Sequence, residues 1–207
     1  MANKKIGLFF GSFNPIHVGH LIIANYMAHY TDLDEVWFVV SPQNPFKEKK
    51  NLGNMYDRLE MVHLAIEDTE KLQVSNIEFS LPQPSYTIDT LTHLREKYPA
   101  TDFVLIMGED NLASLHKWKN AMIILRDYSI LVYPRRDYDG GELKNHPAVT
   151  MTQTPLMELS STFLRNAVKE KKNIKFYTPD KVIDFIEKKG LYRSLDNRQC
   201  IMKTISI

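Results

Sequence analysis

Two histidines three residues apart, His17 and His20, give this sequence its clearest chemical signal. They close the ten-residue stretch GSFNPIHVGH, which begins at Gly11 and directly follows the apolar run Ile6–Phe10. The order predicts a buried strand, a tight turn fixed by proline, and a helix that begins with both imidazoles on one face of its first turn. Imidazole N–H groups in that place can donate hydrogen bonds to charge that develops during phosphoryl-group chemistry.

The start of this predicted helix is itself suited to a phosphate. Its first backbone N–H groups lack helical partners and carry partial positive charge. A pair of histidines at this spacing is also compatible with half of a metal site. No cysteine or carboxylate nearby completes a zinc ligand set, so the stretch predicts a phosphate site.

A second polar segment begins at Leu159 and reads LSSTFLR. Its hydroxyl side chains suit the start of a helix, and an ordinary helix cap is the simplest interpretation of them. Arg165 lies one turn further, on the same face as Ser161 and Thr162. A guanidinium in that place binds phosphate oxygens as a fork.

Together these two segments resemble the nucleotidyltransferase superfamily of adenylyl- and cytidylyltransferases. The first matches the pattern G-x-F-x-P-x-H-x-G-H, and the second is similar to I-S-S-T-x-x-R with Leu159 at the isoleucine position. The resemblance implies that His17 and His20 are catalytic. It also implies an ATP site formed by Gly11, Ser12, Phe13, His17, His20, Ser160, Ser161, Thr162 and Arg165.

The implied reaction explains why no nucleophile–base pair accompanies the motif. In adenylyl transfer, a phosphate oxygen attacks the α-phosphorus of ATP and pyrophosphate leaves. That oxygen is already ionised near neutral pH, so positioning and charge stabilisation account for most of the catalysis. Mg²⁺ is expected to accompany ATP with water ligands, because no dedicated acidic cage is visible and the sequence suggests no metal ligands.

A third segment, Ser41–Lys47, resembles the superfamily loop that ends in P-H-K, with Phe46 where a histidine is usual. Lys47 is predicted as a catalytic phosphate ligand that also contacts the acceptor. The alternative is a solvated charge, since Lys49 and Lys50 follow closely.

Two further strings resemble the branch of nicotinate mononucleotide adenylyltransferases. Ser85–Leu91 reads SYTIDTL, and Leu115–Trp118 reads LHKW. A pyridine ring favours a flat aromatic partner, which predicts stacking on Trp118. Thr87, with neighbouring N–H groups, is predicted to bind the ring carboxylate, and Tyr86 is predicted to contact the acceptor.

A strand predicted at Phe103–Met107 leads into Gly108, Glu109 and Asp110. The resemblance implies that Gly108 and Asp110 contribute to the ATP site, with Asp110 hydrogen-bonded to a ribose hydroxyl. Arg58 also matches the family pattern, but helix packing accounts for it, and it is not placed in the predicted site.

The implied function is transfer of AMP from ATP to nicotinate mononucleotide, giving deamido-NAD (nicotinate adenine dinucleotide) and pyrophosphate in NAD biosynthesis. One alternative acceptor is nicotinamide mononucleotide, and another is phosphopantetheine. A second class of answer is a nucleotide-binding regulator without turnover, although the intact histidine pair and Arg165 argue against it.

The elements that must position these residues alternate along the chain. Short apolar runs predict strands, and apolar spacings of three and four predict helices. This alternation favours an α/β, Rossmann-like doubly wound parallel sheet of about five or six strands, with a small helical C-terminal part. The predicted strands are Ile6–Phe10, Val36–Val40, Val74–Phe79, Phe103–Met107 and Ile130–Tyr133, and the predicted helices are 18–30, 55–68, 87–98, 117–126, 161–171 and 179–189.

Composition narrows the class of protein. The chain has 207 residues, a net charge of +1 and one cysteine, Cys200. The charge gives no reason to expect nucleic-acid or membrane binding, and the lone cysteine fits a cytoplasmic location. We expect one domain over residues 1–192, followed by a poorly ordered extension over 193–207. A homo-oligomer stays open.

Overall fold

Six parallel strands form one sheet at the centre of the part of the chain that the computed structural model describes, residues 3–43 and 52–193. Their order across the sheet is β3-β2-β1-β4-β5-β6. The strands are β1 (Lys4–Gly11), β2 (Glu35–Val40), β3 (Leu72–Ser75), β4 (Thr101–Gly108), β5 (Ser129–Tyr133) and β6 (Val149–Met151).

Helices connect the strands and cover both faces of the sheet. None of the described helices is long and apolar enough to cross a membrane. The helices are α1 (Val18–Tyr30), α2 (Met55–Ile66), α3 (Thr87–Lys97), α4 (Glu109–Ser114), α5 (Ala121–Asp127), α6 (Ser161–Lys169) and α7 (Asp180–Lys189), with short 3-10 helices at Ile77–Ser80, Leu115–Lys117 and Gly141–Asn145.

The alternation of side chains along β1 divides the core into two layers. Leu8 packs under α3, α4 and α5, whereas Phe9 packs under α1, α2, α6 and α7. Both are almost completely buried, at 0% and 3% exposed. A strand buried on both faces reads as a continuous apolar run, which is why IGLFF signals a central parallel strand.

The direction of the chain across the sheet reverses at β1. The connections run first through β2 and β3 on one side and later through β4, β5 and β6 on the other. At the carboxyl end, Gly11 of β1 lies beside Val40 of β2. Ligands of such sheets bind in the crevice that this reversal opens, so the turns after β1, β2 and β4 are placed to form a site.

The predicted fold class is confirmed, and two predicted elements are wrong. The run Val74–Phe79 was expected to be one strand, but β3 ends at Ser75 and Ile77–Ser80 forms a 3-10 helix. The Ser75 hydroxyl accepts from the Ile77 N–H at 3.3 Å, which ends the strand locally. The helix predicted at 117–126 begins later than expected. Asn120 has a left-handed backbone (φ 54°), so the α-helix in this region, α5, begins only after it, at Ala121.

Two smaller differences concern an edge strand and the start of the last described helix. β6 was not predicted, because it has three residues and is too short to show alternation. α7 begins at Asp180 after Pro179, and Gly190 ends it with φ 64°, as expected of glycine. Of the extension predicted at 193–207, all but Arg193 lies outside the described residues.

Candidate active site

The turn between β1 and α1 is fixed by bonds to distant parts of the chain, and Asn14 is its centre. The Asn14 carboxamide oxygen accepts from the Tyr192 hydroxyl at 2.8 Å and from the Gly53 N–H at 3.3 Å. Its backbone carbonyl accepts from Arg165 Nη1 at 2.8 Å. The turn is therefore held from three sides before any ligand arrives.

A tight approach inside the same turn requires glycine at position 11. The ring of Phe13, whose φ is 43°, folds back over Gly11. A Cβ at Gly11 would lie 2.6 Å from the Phe13 ring. Phe13 is only 2% exposed and packs edge-on against Phe38, so it cannot easily move aside.

The two histidines lie together at the start of α1. The backbone N–H of His17 donates to Nδ1 of His20 at 3.3 Å. A backbone N–H can only donate, so Nδ1 of His20 is the acceptor and the neutral ring carries its proton on Nε2. His20 therefore has a donor on the ring atom opposite the helix cap.

His17 differs from His20 in its electrostatics. It is 4% exposed. Burial, together with the positive charge of Arg135, lowers the pKa of His17 to about 4. The ring is consequently neutral at pH 7, so its contribution to an anionic ligand is a hydrogen bond, whereas positive charge comes from arginines.

The start of α6 is bound to the turn after β1. The Ser161 hydroxyl donates to the Pro15 carbonyl at 2.8 Å, and Arg165 Nη2 donates to the Thr162 hydroxyl at 3.0 Å. Ser160 caps the helix by accepting from the Phe163 N–H at 3.2 Å. The two motifs that the sequence singled out, 146 residues apart at Pro15 and Ser161, thus form one structure.

These groups line a cavity of about 450 Å³. It contains ten of the eleven residues predicted for ATP, all except Gly108. Gly108 acts indirectly, because a Cβ there would lie 2.4 Å from Asp110 Oδ1 and displace that carboxylate. The predicted residues in the lining are Gly11, Ser12, Phe13, His17, His20, Asp110, Ser160, Ser161, Thr162 and Arg165.

The same cavity collects buried polar atoms that have no hydrogen-bond partner among the described residues. They are Nδ1 of His17, Oδ1 of Asp110 and Nε of Arg135. Asp110 Oδ1 and Arg135 Nε lie 3.7 Å apart and form an ion pair with each other, without a hydrogen bond. A buried polar group left without a hydrogen bond costs about 1–3 kcal/mol. The mixture of donor, acceptor and cation among these three atoms matches a ligand with phosphate and hydroxyl groups. Arg135 was missed by sequence reasoning, because nothing marks it apart from its position after β5.

A second pocket, of about 130 Å³, lies on the other side of β1. Three residues predicted to contact the acceptor, Tyr86, Thr87 and Trp118, line it. Phe10, Gly11 and Asn111 line both this pocket and the larger cavity. Two ligands, one in the smaller pocket and one in the larger cavity, would therefore meet at the end of β1.

The smaller pocket also contains a cation, Lys119, and a buried acid, Glu78. Neither was predicted from the sequence. Lys119 Nζ lies 4.9 Å from the centre of the Tyr86 ring and pairs with Asp89 at 2.8 Å. Glu78 is 2% exposed and accepts from the Ser85 hydroxyl at 2.9 Å. Burial raises the pKa of the Glu78 carboxyl.

The sequence also pointed to Lys47 and Arg58, which lie in neither group of residues described above. Lys47 lies outside the described residues, so its predicted role stays a prediction. Arg58 was attributed to helix packing and left out of the predicted site. Its guanidinium is fully buried beneath the site and donates to the backbone of the turns after β1 and β2. The apolar helix pattern around it could not show which groups it binds.

The chain matches a known protein family over most of its length. The family model described as cytidylyltransferase-like matches residues 8–167. The chain belongs to the cytidylyltransferase-like family. The matched region holds β1 to β6 and the start of α6, and so nearly every part of the two cavities.

Relatives of this cytidylyltransferase-like chain agree with the resemblance inferred from the motifs, which is confirmed. A protein of Flavobacterium johnsoniae, named a probable nicotinate-nucleotide adenylyltransferase, is 54% identical over 91% of this chain and 99% of its own length. One of the same name from Bacteroides thetaiotaomicron is 45% identical, covering 89% and 92%.

Among solved structures, nicotinic acid mononucleotide adenylyltransferase of Plasmodium falciparum, complexed with NaAD, superposes with a TM-score of 0.79. It covers 93% of this chain and 100% of that chain at 22% identity. This likeness establishes the fold.

Proposed function

We propose that this protein transfers AMP from ATP to nicotinate mononucleotide, producing deamido-NAD and pyrophosphate for NAD biosynthesis. The observation that carries the proposal is the meeting of two pockets at Phe10, Gly11 and Asn111. One pocket offers arginines and imidazoles for phosphates, and the other offers an aromatic ring and hydroxyls for a pyridine. The names of the relatives support the same acceptor.

The chemistry needs little from the protein beyond placement and charge. A phosphate oxygen of the acceptor forms a bond to the α-phosphorus, and the bond from that phosphorus to the bridging oxygen of pyrophosphate breaks. The acceptor oxygen is ionised at neutral pH, so no side chain has to remove a proton. His20 Nε2 and the Arg165 guanidinium stabilise the charge that grows on the phosphate oxygens.

The smaller pocket gives the acceptor its orientation. Trp118 stacks on the pyridine ring, and the Thr87 hydroxyl with the adjacent N–H groups binds the carboxylate. Lys119 lies at the same wall, where Asp89 pairs with its ammonium group. Lys47 is proposed as a further phosphate ligand on this side.

Mg²⁺ is proposed to arrive with ATP, and it would neutralise part of the charge on the triphosphate. Within residues 3–43 and 52–193, no three His, Cys, Asp or Glu side chains are grouped as a metal site requires. Mg²⁺ keeps several waters and needs few protein ligands. The protein's own part is to hold the triphosphate.

Several broader assignments belong to the same proposal. Residues 1–192 act as one catalytic unit, since the turn after β1 is bonded as far along the chain as Tyr192. We place the protein in the cytoplasm, with ATP and nicotinate mononucleotide as its partners and no nucleic acid or membrane among them. Assembly into a homo-oligomer stays a prediction.

The deciding experiment measures pyrophosphate release from ATP and Mg²⁺ with each acceptor supplied singly. We expect the highest kcat/KM with nicotinate mononucleotide and lower values with nicotinamide mononucleotide. Good turnover of phosphopantetheine without turnover of nicotinate mononucleotide would refute the acceptor. ATP binding without pyrophosphate release from any acceptor would identify a regulator instead.

A further inference from the structure

Arg58 is the largest side chain that the structure buries completely, with 0% of the residue exposed. Burial lowers the pKa of its guanidinium to about 10, so it stays charged at pH 7. No salt bridge to a carboxylate compensates this charge among the described residues. A buried charge without such a partner is strongly unfavourable unless hydrogen bonds satisfy it.

Backbone carbonyls supply that compensation. Arg58 Nη1 donates to the carbonyls of Ser12 at 2.7 Å and Ser41 at 2.8 Å. Nη2 donates to the Pro42 carbonyl at 3.1 Å, and Nε donates to the Gly53 carbonyl at 3.0 Å. One planar side chain thus fixes four peptide groups from three separate stretches of chain.

These peptide groups belong to both substrate pockets. Ser12 lies in the turn after β1 and lines the larger cavity, whereas Ser41 follows β2 and lines the smaller pocket. A trans peptide is planar, so the N–H that follows a fixed carbonyl points the opposite way. Binding to Arg58 therefore directs the N–H groups of Phe13 and Gln43 away from the guanidinium, and these two residues line the larger and the smaller pocket respectively.

A short path also connects Arg58 to the phosphate-binding helix. The Gly53 carbonyl accepts from Arg58, while the Gly53 N–H donates to Asn14 Oδ1 at 3.3 Å. The Asn14 carbonyl in turn accepts from Arg165. The bond from Arg58 to Gly53 thus reaches, through Asn14, the arginine predicted to bind ATP.

We propose that Arg58 is a positioning residue that sets the separation and orientation of the turn after β1 at the ATP cavity (the ATP turn) and of the segment Ser41–Gln43 at the acceptor pocket, so that loss of its fork weakens both substrates together. This inference rests on the proposed function for the identity of the two ligands. A side chain that only stabilised the fold would lower the melting temperature and leave the kinetics of the folded protein unchanged.

The test compares Arg58→Lys with Met61→Ala, which lies one turn later on α2 and is also 0% exposed. Lysine keeps the charge but cannot bridge four carbonyls in one plane. Both variants are expected to melt at lower temperature. At a temperature where each is fully folded, Arg58→Lys should raise KM for ATP and for nicotinate mononucleotide and lower kcat at least about tenfold, and Met61→Ala should change none of these.

Calorimetric binding of ATP and of nicotinate mononucleotide, measured separately, distinguishes the two proposals. If wild type binds both but releases no pyrophosphate, the proposed function fails while weaker binding by Arg58→Lys still supports positioning. Unchanged binding and unchanged kcat in folded Arg58→Lys would overturn the inference.

Gly53→Ala provides a second variant that keeps the guanidinium, in case Arg58→Lys does not fold. A Cβ at Gly53 would lie 3.0 Å from Asn14 Oδ1, which strains the link between Arg58 and the ATP turn. We expect KM for ATP to rise several-fold with little change in melting temperature. A Gly53→Ala enzyme with wild-type KM and kcat would count against the positioning role.

Discussion

The imidazole rings of His17 and His20 stack with their centroids 3.7 Å apart and their planes 23° from parallel. The stack combines two different environments, since His17 is buried and His20 lines the cavity while accepting the His17 backbone N–H. Protonating either ring would place a cation against its neighbour. Because His17 is neutral at pH 7, its ring acts on a ligand by hydrogen bonding rather than by charge.

Replacing His20 by alanine should lower kcat by about 10²–10³-fold, because a donor aimed at the reacting phosphate is lost. The dissociation constant for ATP should change by only a few fold, since the arginines remain. Steady-state kinetics and equilibrium binding give the two values. His29→Ala, an exposed histidine at the other end of α1, is the control. A kcat for His20→Ala within a few fold of wild type would show that His20 is not catalytic.

Stability should depend on pH through His17. Its pKa is about 4 in the folded state, below the ordinary value of 6.5, so the unfolded chain binds more protons between those values. The free energy of unfolding should thus fall by up to about 3 kcal/mol as pH falls from 6.5 to 4. Urea unfolding of wild type and His17→Gln checks this, and the difference between them should vary across that window. A difference independent of pH would exclude His17 as the cause.

Binding of ATP should reverse the depression of this pKa. Phosphate oxygens beside the ring bring negative charge and so favour the imidazolium form. NMR titration of the His17 ring, with and without ATP, should show its pKa rising on binding. No movement of the His17 resonance would mean that the triphosphate lies elsewhere in the cavity.

Trp118→Ala should act on the acceptor alone. Loss of an aromatic stacking partner is expected to raise KM for nicotinate mononucleotide by roughly tenfold and to leave KM for ATP unchanged. Trp37→Phe is the matched control, because Trp37 packs against Tyr98 and Phe103, away from both pockets. Equal increases for the two substrates would contradict stacking on Trp118.

Glu78→Ala should destabilise the protein and disturb the acceptor pocket. The hydroxyls of Ser85 and Thr90 would both lose their acceptor, which is expected to cost about 2–4 kcal/mol of unfolding free energy. Because Ser85 leads directly into Tyr86 and Thr87, KM for the acceptor should rise more than KM for ATP. Thr92→Ala is the control, because Thr92 lies on α3 with Thr90; this change should alter neither KM.

Local signals in the sequence were sufficient for the parts of the site formed by one stretch of chain. The turn from Gly11 to His20 and the start of α6 each carry their own chemistry in consecutive residues. The apolar run of β1 announces a strand buried on both faces, and so the sheet could be predicted as well.

Contacts between distant residues could not be predicted in this way. Arg135, Lys119 and Arg58 act through what lies opposite them in space, and their neighbours in sequence look like ordinary surface or helix residues. The 3-10 helix at Ile77–Ser80 was missed for a different, local reason: its apolar alternation is the same as that of a strand. Only the folded chain shows that Glu78 points inward.

The bond between the Tyr192 hydroxyl and Asn14 has a consequence for the order in which the protein is made. It joins residues 178 positions apart, whereas the last described strand is complete at Met151. A chain emerging from the ribosome can thus pair all six described strands while the turn after β1 still lacks its bonds to Arg165 and Tyr192. Synthesis builds the scaffold first, and the turn after β1 is complete only once Tyr192, which follows the end of α7, has been added.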